Sequence, residues 1–203
     1  MFGEFNLENW PVVYFKFNSN EINDELFEEY KKYYLNLLVK CKRNDEKMIL
    51  ICDLNYLNMN ENFPLKYIMK QSQFSKETYK FNKEYVKCIC ILCKSKNFKT
   101  ILNMYFGLAK PAAPFKLCRT NEKANLFIKD KAKIDFDISI YNQEISINCE
   151  VEEEDNDSSI TNPNNEYNNE ENNDENENTF DIETYEKEIY EKETYEKESN
   201  CVK

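Results

Sequence analysis

The cysteines of one short segment are the first candidates for chemistry. Residues 86–93 read Val-Lys-Cys-Ile-Cys-Ile-Leu-Cys, so that Cys90 and Cys93 form a Cys-x-x-Cys pair with Cys88 just before it. A redox pair needs a helix N-terminus to stabilise its thiolate, and a structural zinc site needs about four ligands. The chain has no histidine and no second close cysteine pair. We therefore predict a buried strand in which these cysteines pack as small hydrophobic residues and bind no metal.

A carboxylate and a helix start form the second candidate site. Asp53 ends the apolar run 48–53, and Ser95 and Lys96 follow the strand 86–93. The carboxyl ends of parallel strands share one edge, where open α/β sheets bind ligands, and a helix N-terminus beside a cation suits an anion. The simpler interpretation, which we favour, is that Asp53 caps the next turn and Ser95 caps its helix.

The residue types for catalysis are missing from the sequence. The chain has no histidine and two glycines, so that neither a catalytic triad nor a glycine-rich phosphate loop is predicted. Paired carboxylates such as Glu28 and Glu29 read as solvated surface charge. We therefore predict a protein that is not an enzyme, with no catalytic residue and no cofactor.

Three tyrosines near the C-terminal end repeat in the same context. Tyr185, Tyr190 and Tyr195 each begin a Tyr-Glu-Lys-Glu unit. Their acidic flanks suit many tyrosine kinases, which makes them candidate modification sites, although an expanding repeat without a role is the interpretation we favour. A period of five places them neither on one helical stripe nor on one face of a strand. We therefore expect transient helicity from Glu-Lys pairs four residues apart and no docking of the repeat. The alternative is that the acidic tail folds back electrostatically onto the mildly basic rest of the chain, an effect that salt would screen.

Strand and helix patterns alternate along the first two thirds of the chain. Continuous apolar runs predict strands, and apolar residues three and four apart predict helices capped by residues such as Asn23. The predicted strands are 11–17, 48–53, 86–93 and 115–118, and the predicted helices are 23–40, 64–79, 95–109 and 121–129. This alternation indicates an α/β fold with a mostly parallel sheet and helices packed on it.

The pattern changes after residue 130. Phe136, Ile138, Ile140, Ile145 and Ile147 alternate with polar residues, which predicts a β-hairpin over 131–151. Asn, Glu and Asp dominate residues 152–203, which bury too little apolar area to offset the entropy cost of ordering. A disordered acidic tail is predicted there.

Several segments together resemble the STAS-like family, which is related to the sulphate-transporter and anti-sigma-factor-antagonist domains. They are Trp10-Pro-Val-Val-Tyr-Phe-Lys-Phe, Asp24-Glu-Leu-Phe-Glu-Glu-Tyr, Ile51-Cys-Asp-Leu, residues 111–116 and Asn121-Glu-Lys-Ala. The resemblance covers about residues 7–129 and implies a STAS-like α/β domain over residues 1–130. It also implies partner binding as the family's usual role.

The family's phosphorylation switch is not carried over. In phosphorylated anti-sigma-factor antagonists, the loop after the central strand holds a serine that a kinase modifies. Laid without gaps, that position falls on Asn62, with Glu61 before it and Pro64 where the family has glycine. Asparagine has no hydroxyl, so the resemblance implies the fold but not this mechanism.

Charge is distributed unevenly along the chain. Residues 150–203 contain 20 acidic residues and 4 lysines, whereas residues 1–149 have 18 acidic residues and 23 basic ones. This balance does not favour nucleic acid, even though lysines and aromatic residues alternate over 76–87. The first residues do not read as a signal peptide and no apolar run spans a membrane. We therefore expect a reducing, cytoplasmic location, in the host cell if the chain is viral, with the eight cysteines as free thiols.

The sequence thus predicts a non-catalytic protein-interaction module with another protein as its partner. Its contact surface would be the loop 55–63 and the helix that begins at Pro64. The alternative is a binding domain for a small anion or a lipid at the sheet edge near Asp53 and Ser95. The candidate binding residues are Asp53, Asn55, Tyr56, Glu61, Asn62, Ser95 and Lys96.

Overall fold

The computed structural model describes residues 2–18, 22–56, 65–95 and 98–141, together with Thr184, Tyr185 and Lys187. These residues form a five-stranded sheet with five helices, which confirms the α/β class. The elements are β1 (Gly3–Asn6), β2 (Val12–Phe17), α1 (Asp24–Asn44), β3 (Met48–Asp53), α2 (Leu65–Glu77), α3 (Tyr79–Tyr85), β4 (Val86–Leu92), α4 (Phe98–Leu108), β5 (Phe115–Cys118), α5 (Asn121–Ala132) and a 3-10 turn (Ile138–Tyr141).

The strands lie in the sheet in chain order, from β1 to β5. The four strands β2 to β5 are parallel, as their apolar sequences predicted, and β1 pairs antiparallel with β2. Parallel neighbours require crossover connections. Helices α1 to α4 supply these connections, and their buried residues belong to the clusters on one face of the sheet.

The two faces of the sheet have separate cores. On the first, which we call the helix face, residues such as Phe15, Leu50 and Ile91 pack under α1 to α4. On the second, the α5 face, Ile51 and Cys90 pack under α5 and the 3-10 turn. Alternate residues of each strand point to opposite faces, so both sides of β3 and β4 are apolar and the run of hydrophobic residues is continuous.

Helix α1 shows how local sequence signals fix an element. The side chain of Asn23 accepts a hydrogen bond from the Leu26 backbone N–H at 2.8 Å, which confirms the predicted cap. The helix ends where Asp45 takes up a left-handed conformation with φ of 50°. Its apolar stripe, which includes Phe27, Tyr34 and Leu38, is buried against the sheet.

Strand β1 was not predicted from the sequence, because a four-residue strand is defined mainly by its partner. Its pairing with β2 brings the backbones close together at Gly3. A side chain there would begin 2.6 Å from the carbonyl oxygen of Lys16 and from the ring of Phe15. Glycine is therefore needed at this position to let the edge strand approach.

The predicted hairpin over 131–151 is wrong in its first strand. Ile138–Tyr141 is a 3-10 turn, and the remainder from 142 on lies outside the described residues. Asp137 accepts hydrogen bonds from the backbone N–H of Ser139 and from Asn125, whose side-chain oxygen accepts from the Ile138 N–H. These side-chain hydrogen bonds satisfy the backbone N–H groups of Ile138 and Ser139, which a hairpin would pair with a neighbouring strand. Ile138 is fully buried against α5 as a result.

Several predicted helix boundaries also differ, since α1 continues to Asn44 and α5 to Ala132, beyond the predicted ends at 40 and 129. The fourth crossover helix begins at Phe98, so Ser95 lies three residues before it and does not take the position of its N-cap. The helix predicted to continue to Tyr79 ends at Glu77, and α3 follows after Thr78. Thr78 donates its hydroxyl hydrogen bond to the carbonyl oxygen of Phe74 at 2.8 Å, which satisfies that group at the junction.

Candidate functional site

A cavity divides the core on the helix face. Two packed clusters lie there, one under α1 and α2 and the other under α4, and both are flanked by the same half-buried side chains, Phe17, Cys52 and Ile89. These three residues come from the neighbouring strands β2, β3 and β4 and form the floor of a space of about 220 Å³. Largely apolar concave spaces with a few polar groups are the usual form of ligand sites, so this space is the candidate functional site among the described residues.

The walls of the cavity are apolar. Helix α1 contributes Phe27 and Tyr30, α4 contributes Leu102 and Phe106, and Phe115 of β5 closes one side. Each helix presents one apolar stripe to the sheet, as its sequence periodicity required. The helices leave a gap over Cys52 and Ile89, so their apolar stripes line the cavity as well as the packed core.

Polar side chains form a cluster on one side of this apolar space, which we call the polar cluster. Its members are Tyr30, Gln71, Ser75 and Tyr105. The Ser75 and Tyr105 hydroxyl oxygens are 2.6 Å apart, and Gln71 hydrogen-bonds to the hydroxyls of both tyrosines. Burial raises the pKa of Tyr30 and of Tyr105, so both hydroxyls stay protonated and neutral.

A second set of polar groups in the wall is already satisfied. The Tyr34 hydroxyl donates to Asn82 Oδ1 at 2.9 Å, and Asn82 Nδ2 donates to the Thr78 hydroxyl at 2.9 Å. Thr78 donates in turn to the carbonyl of Phe74. Each of these polar groups has a hydrogen-bond partner in the same network, so the network serves to join α1, α2 and α3.

Cys52 faces the cavity from the floor. Burial raises the pKa of its thiol to about 12, so the group stays a neutral thiol. Its side chain is nevertheless half-buried rather than fully packed. The open space above the floor leaves part of the Cys52 side chain uncovered by other residues.

Few charged side chains lie at the cavity among the described residues. Lys110 lies in the connection after α4 and is the one charged side chain among the described residues that line the space. At the start of α1, Asp24 binds Lys66 and Lys70 of α2, each at 2.9 Å, and accepts from the Tyr67 hydroxyl at 3.0 Å. The hydrogen bonds from Lys70 and Lys66 hold the pKa of Asp24 well below its usual range. These contacts tie α2 to α1 beside Ile22 and Tyr67, which also line the cavity.

The predicted site around Asp53 lies on the α5 face, away from this cavity. Asp53 is fully buried, accepts a hydrogen bond from the Tyr14 hydroxyl at 2.5 Å, and accepts from the Asn55 backbone N–H at 2.9 Å. Burial and this contact raise the pKa of Tyr14. The carboxylate therefore closes the turn after β3, as the simpler interpretation held.

The neighbours of Asp53 are engaged in the same turn. Asn55 accepts from the Lys94 backbone N–H at 2.9 Å, and the Lys16 ammonium lies 4.0 Å from the centre of the Tyr56 ring. Ser95 hydrogen-bonds through its backbone to the Cys93 sulfur. The other three candidates, Glu61, Asn62 and Lys96, lie outside the described residues.

The cysteines of β4 do not form a joint site. Cys88 and Cys90 point to the α5 face, where Cys90 hydrogen-bonds to Cys118, whereas Cys93 belongs to the helix face. The Cys-x-x-Cys pair is therefore split across the sheet, and all of these thiols are buried. Within the described ranges, no three metal-ligating side chains come together.

Tyr185 overturns the expectation that the repeat does not dock. Its ring is half-buried beside the core cluster under α1. Its hydroxyl lies 3.4 Å from the carbonyl oxygen of Lys32 and 3.3 Å from Asn36 Oδ1. Tyr190 and Tyr195 lie outside the described residues.

The residues of the cavity were missed in the sequence, although one signal was present. Gln71, Ser75, Thr78 and Asn82 share the helical spacing of the buried residue Ile68. Polar residues on a face that should be apolar indicate either an internal hydrogen-bond network or a site.

Comparisons with protein-family models, with curated proteins and with solved structures found no match. The STAS-like resemblance therefore stays a prediction. No helix within the described part of the chain is long and apolar enough to cross a membrane.

Proposed function

We propose that this chain binds a small apolar ligand, carrying one uncharged polar group, in the cavity between the sheet and helices α1, α2 and α4. The observation that carries the proposal is the division of the helix-face core by a space of about 220 Å³ with an apolar wall and a polar cluster. Largely apolar cavities with a few convergent polar groups are the usual form of small-molecule sites. The proposed site lies on the helix face, whereas the predicted sheet-edge site lies near Asp53 on the α5 face.

The size of the cavity limits the ligand. An engineered apolar cavity of ~150 Å³ holds one benzene molecule, or roughly 25 Å³ for each carbon. At that ratio a space of about 220 Å³ takes roughly nine carbons. A medium-length chain or a single substituted ring fits, whereas the body of a membrane lipid does not.

The polarity of the lining decides the headgroup. A carboxylate placed at the polar cluster would be desolvated among the hydroxyls of Tyr30 and Tyr105, and the one cation of the described lining is the exposed Lys110. Burying an unpaired charge is far more costly than burying a hydrogen-bonded neutral oxygen. The ligand class that fits is therefore a medium-chain alcohol, aldehyde or ketone.

Binding of 1-octanol and of octanoate to the full chain tests this proposal. Isothermal titration should show octanol binding at least about tenfold more tightly than octanoate, because the alcohol brings no buried charge. Tyr105→Phe should weaken octanol binding by about two- to tenfold, the value of one hydrogen bond. Tyr34→Phe is the matched control, since the Tyr34 hydroxyl belongs to the separate chain of bonds through Asn82 and Thr78 and not to the polar cluster. Tighter binding of octanoate, or no binding of either compound, would refute the proposal.

A second function, the predicted protein-interaction module, is favoured by the surface of α2. Leu65 and Met69 are 61% and 63% exposed and lie one turn apart beside the predicted contact loop, and Tyr56 is 39% exposed at its other end. Adjacent exposed apolar side chains of this kind mark contact sites more often than isolated ones. We propose that this surface binds another protein, within a STAS-like domain that the resemblance implies.

Charge substitution on α2 tests the second function. Leu65→Glu combined with Met69→Glu should remove the partners that copurify with the chain from its native cells. Leu126→Glu is the control, because Leu126 is 67% exposed but lies on α5. If both variants retain the same partners, α2 is not the contact surface.

A further inference from the structure

The C-terminal repeat has a receptor surface on the chain itself. We propose that the outer face of α1 is the docking site for the first Tyr-Glu-Lys-Glu unit, with Tyr185 as its anchor. The face is defined by Lys32 and Asn36, which are exposed and one helical turn apart. The partner is thus a segment of this chain, and the proposal is independent of any ligand in the cavity.

The contacts of Tyr185 match what its side chain offers. Its ring packs beside the core cluster under α1 and is half-buried. Its hydroxyl reaches two acceptors, the Lys32 carbonyl oxygen at 3.4 Å and Asn36 Oδ1 at 3.3 Å. A tyrosine suits this position because its ring is apolar while its tip is a hydrogen-bond donor. The ring and the hydroxyl therefore both contribute to docking.

Charge favours the same arrangement. In sequence, Glu183, Glu186 and Glu188 surround Tyr185, and residues 150–203 are strongly acidic. The exposed Lys32 lies on α1 at the Tyr185 contacts, and residues 1–149 are mildly basic. Attraction between the acidic segment and this lysine favours the same docking and is screened by salt. Docking of the segment also places it on the outer side of the helix whose inner side, through Phe27 and Tyr30, lines the cavity.

The repeat supplies its own controls. Lys187, Lys192 and Lys197 each end a Tyr-Glu-Lys sequence and are followed by Glu, so trypsin meets nearly the same site three times. Cleavage of a segment that opens and closes rapidly reports the population of its open form. The ratio of the cleavage rate at Lys187 to the rates at Lys192 and Lys197 therefore measures docking of the first unit in the full chain.

Limited trypsin digestion of the full chain, followed by mass spectrometry, tests the proposal. Cleavage after Lys187 should be about two- to tenfold slower than after Lys197, the range that one hydrogen bond and a packed ring imply. Tyr185→Ala should bring the two rates together, and Tyr195→Ala should leave their ratio unchanged. Asn36→Ala should reduce the protection of Lys187, whereas Asn103→Ala, at an exposed position of α4, should not.

Three results would overturn the inference. The first is equal cleavage at the three lysines in the unmodified chain. The second is protection of Lys187 that survives Tyr185→Ala. The third is protection that falls on dilution, since docking between two copies depends on concentration whereas docking within one chain does not.

Discussion

Replacement of Cys52 by phenylalanine tests whether the space on the helix face is real. Cys52 lies on the cavity floor and is half-buried. Cys88 is a buried cysteine on the adjacent strand β4, but it lies in the filled core of the α5 face. The same substitution at the two positions therefore compares an open site with a packed one.

The two variants should change stability in opposite directions. A phenyl ring takes up roughly the ~150 Å³ that holds benzene, which is less than the cavity volume of about 220 Å³. Burying the ring of Cys52→Phe should contribute about 1–2 kcal/mol, somewhat below the usual value for a full Phe side chain. Cys88→Phe should overpack the core of the α5 face and lower the free energy of unfolding by about 1–3 kcal/mol.

Urea unfolding followed by circular dichroism measures this difference, and calorimetric titration with 1-octanol measures the ligand site. Cys52→Phe should raise the unfolding midpoint and weaken octanol binding by more than about tenfold, because roughly a third of the space is left. Cys88→Phe should lower the midpoint and leave binding in the folded protein unchanged. If both variants lose the same stability, the helix face is fully packed and the reasoning fails.

Three other substitutions test the described contacts. Asp24→Asn should lower stability at pH 7, because two lysines of α2 depress the pKa of folded Asp24. This contribution is present above about pH 4, the pKa of a free aspartate, and is lost as the pH falls from there through the depressed pKa of the folded state. The gap between the urea midpoints should therefore narrow steadily below about pH 4 and shrink in 1 M salt, and a gap independent of pH would contradict this. Tyr34→Phe leaves Asn82 without its donor and should cost about 1–3 kcal/mol in urea unfolding; a neutral result would mean that water replaces the hydroxyl. Ile138→Ala should cost about 2–5 kcal/mol because the side chain is fully buried, whereas Ile140→Ala at 46% exposure should cost little. Equal costs at the two isoleucines would restore the hairpin prediction, in which both share one face.

Local signals made most of the fold predictable. Several elements are predicted by signals within a few residues. They are the Asn23 cap, the helical stripe of α1 and the continuous apolar runs of β3 and β4. Parallel pairing follows from those runs, since strands apolar on both faces need helices on the sheet. The structure confirms this part of the reasoning.

Elements that depend on a distant partner were missed or wrong. Strand β1 exists because Gly3 lets it approach β2. The alternation of Ile138 and Ile140 suggested a strand, but Asn125 and Asp137 bind the backbone there and α5 buries Ile138. Alternation of apolar and polar residues is weak evidence for a strand where nearby side chains offer the backbone other hydrogen bonds.

The sequence by itself determined the class of fold and the buried, neutral cysteines of residues 88–93, because both depend on residue types within a short segment. Only the tertiary structure decided where the cavity lies and which tyrosine of the repeat meets α1. A cavity is what remains after several helices have packed, so no single segment encodes it. Docking of Tyr185 likewise depends on a surface about 150 residues away in sequence, which a five-residue repeat cannot reveal.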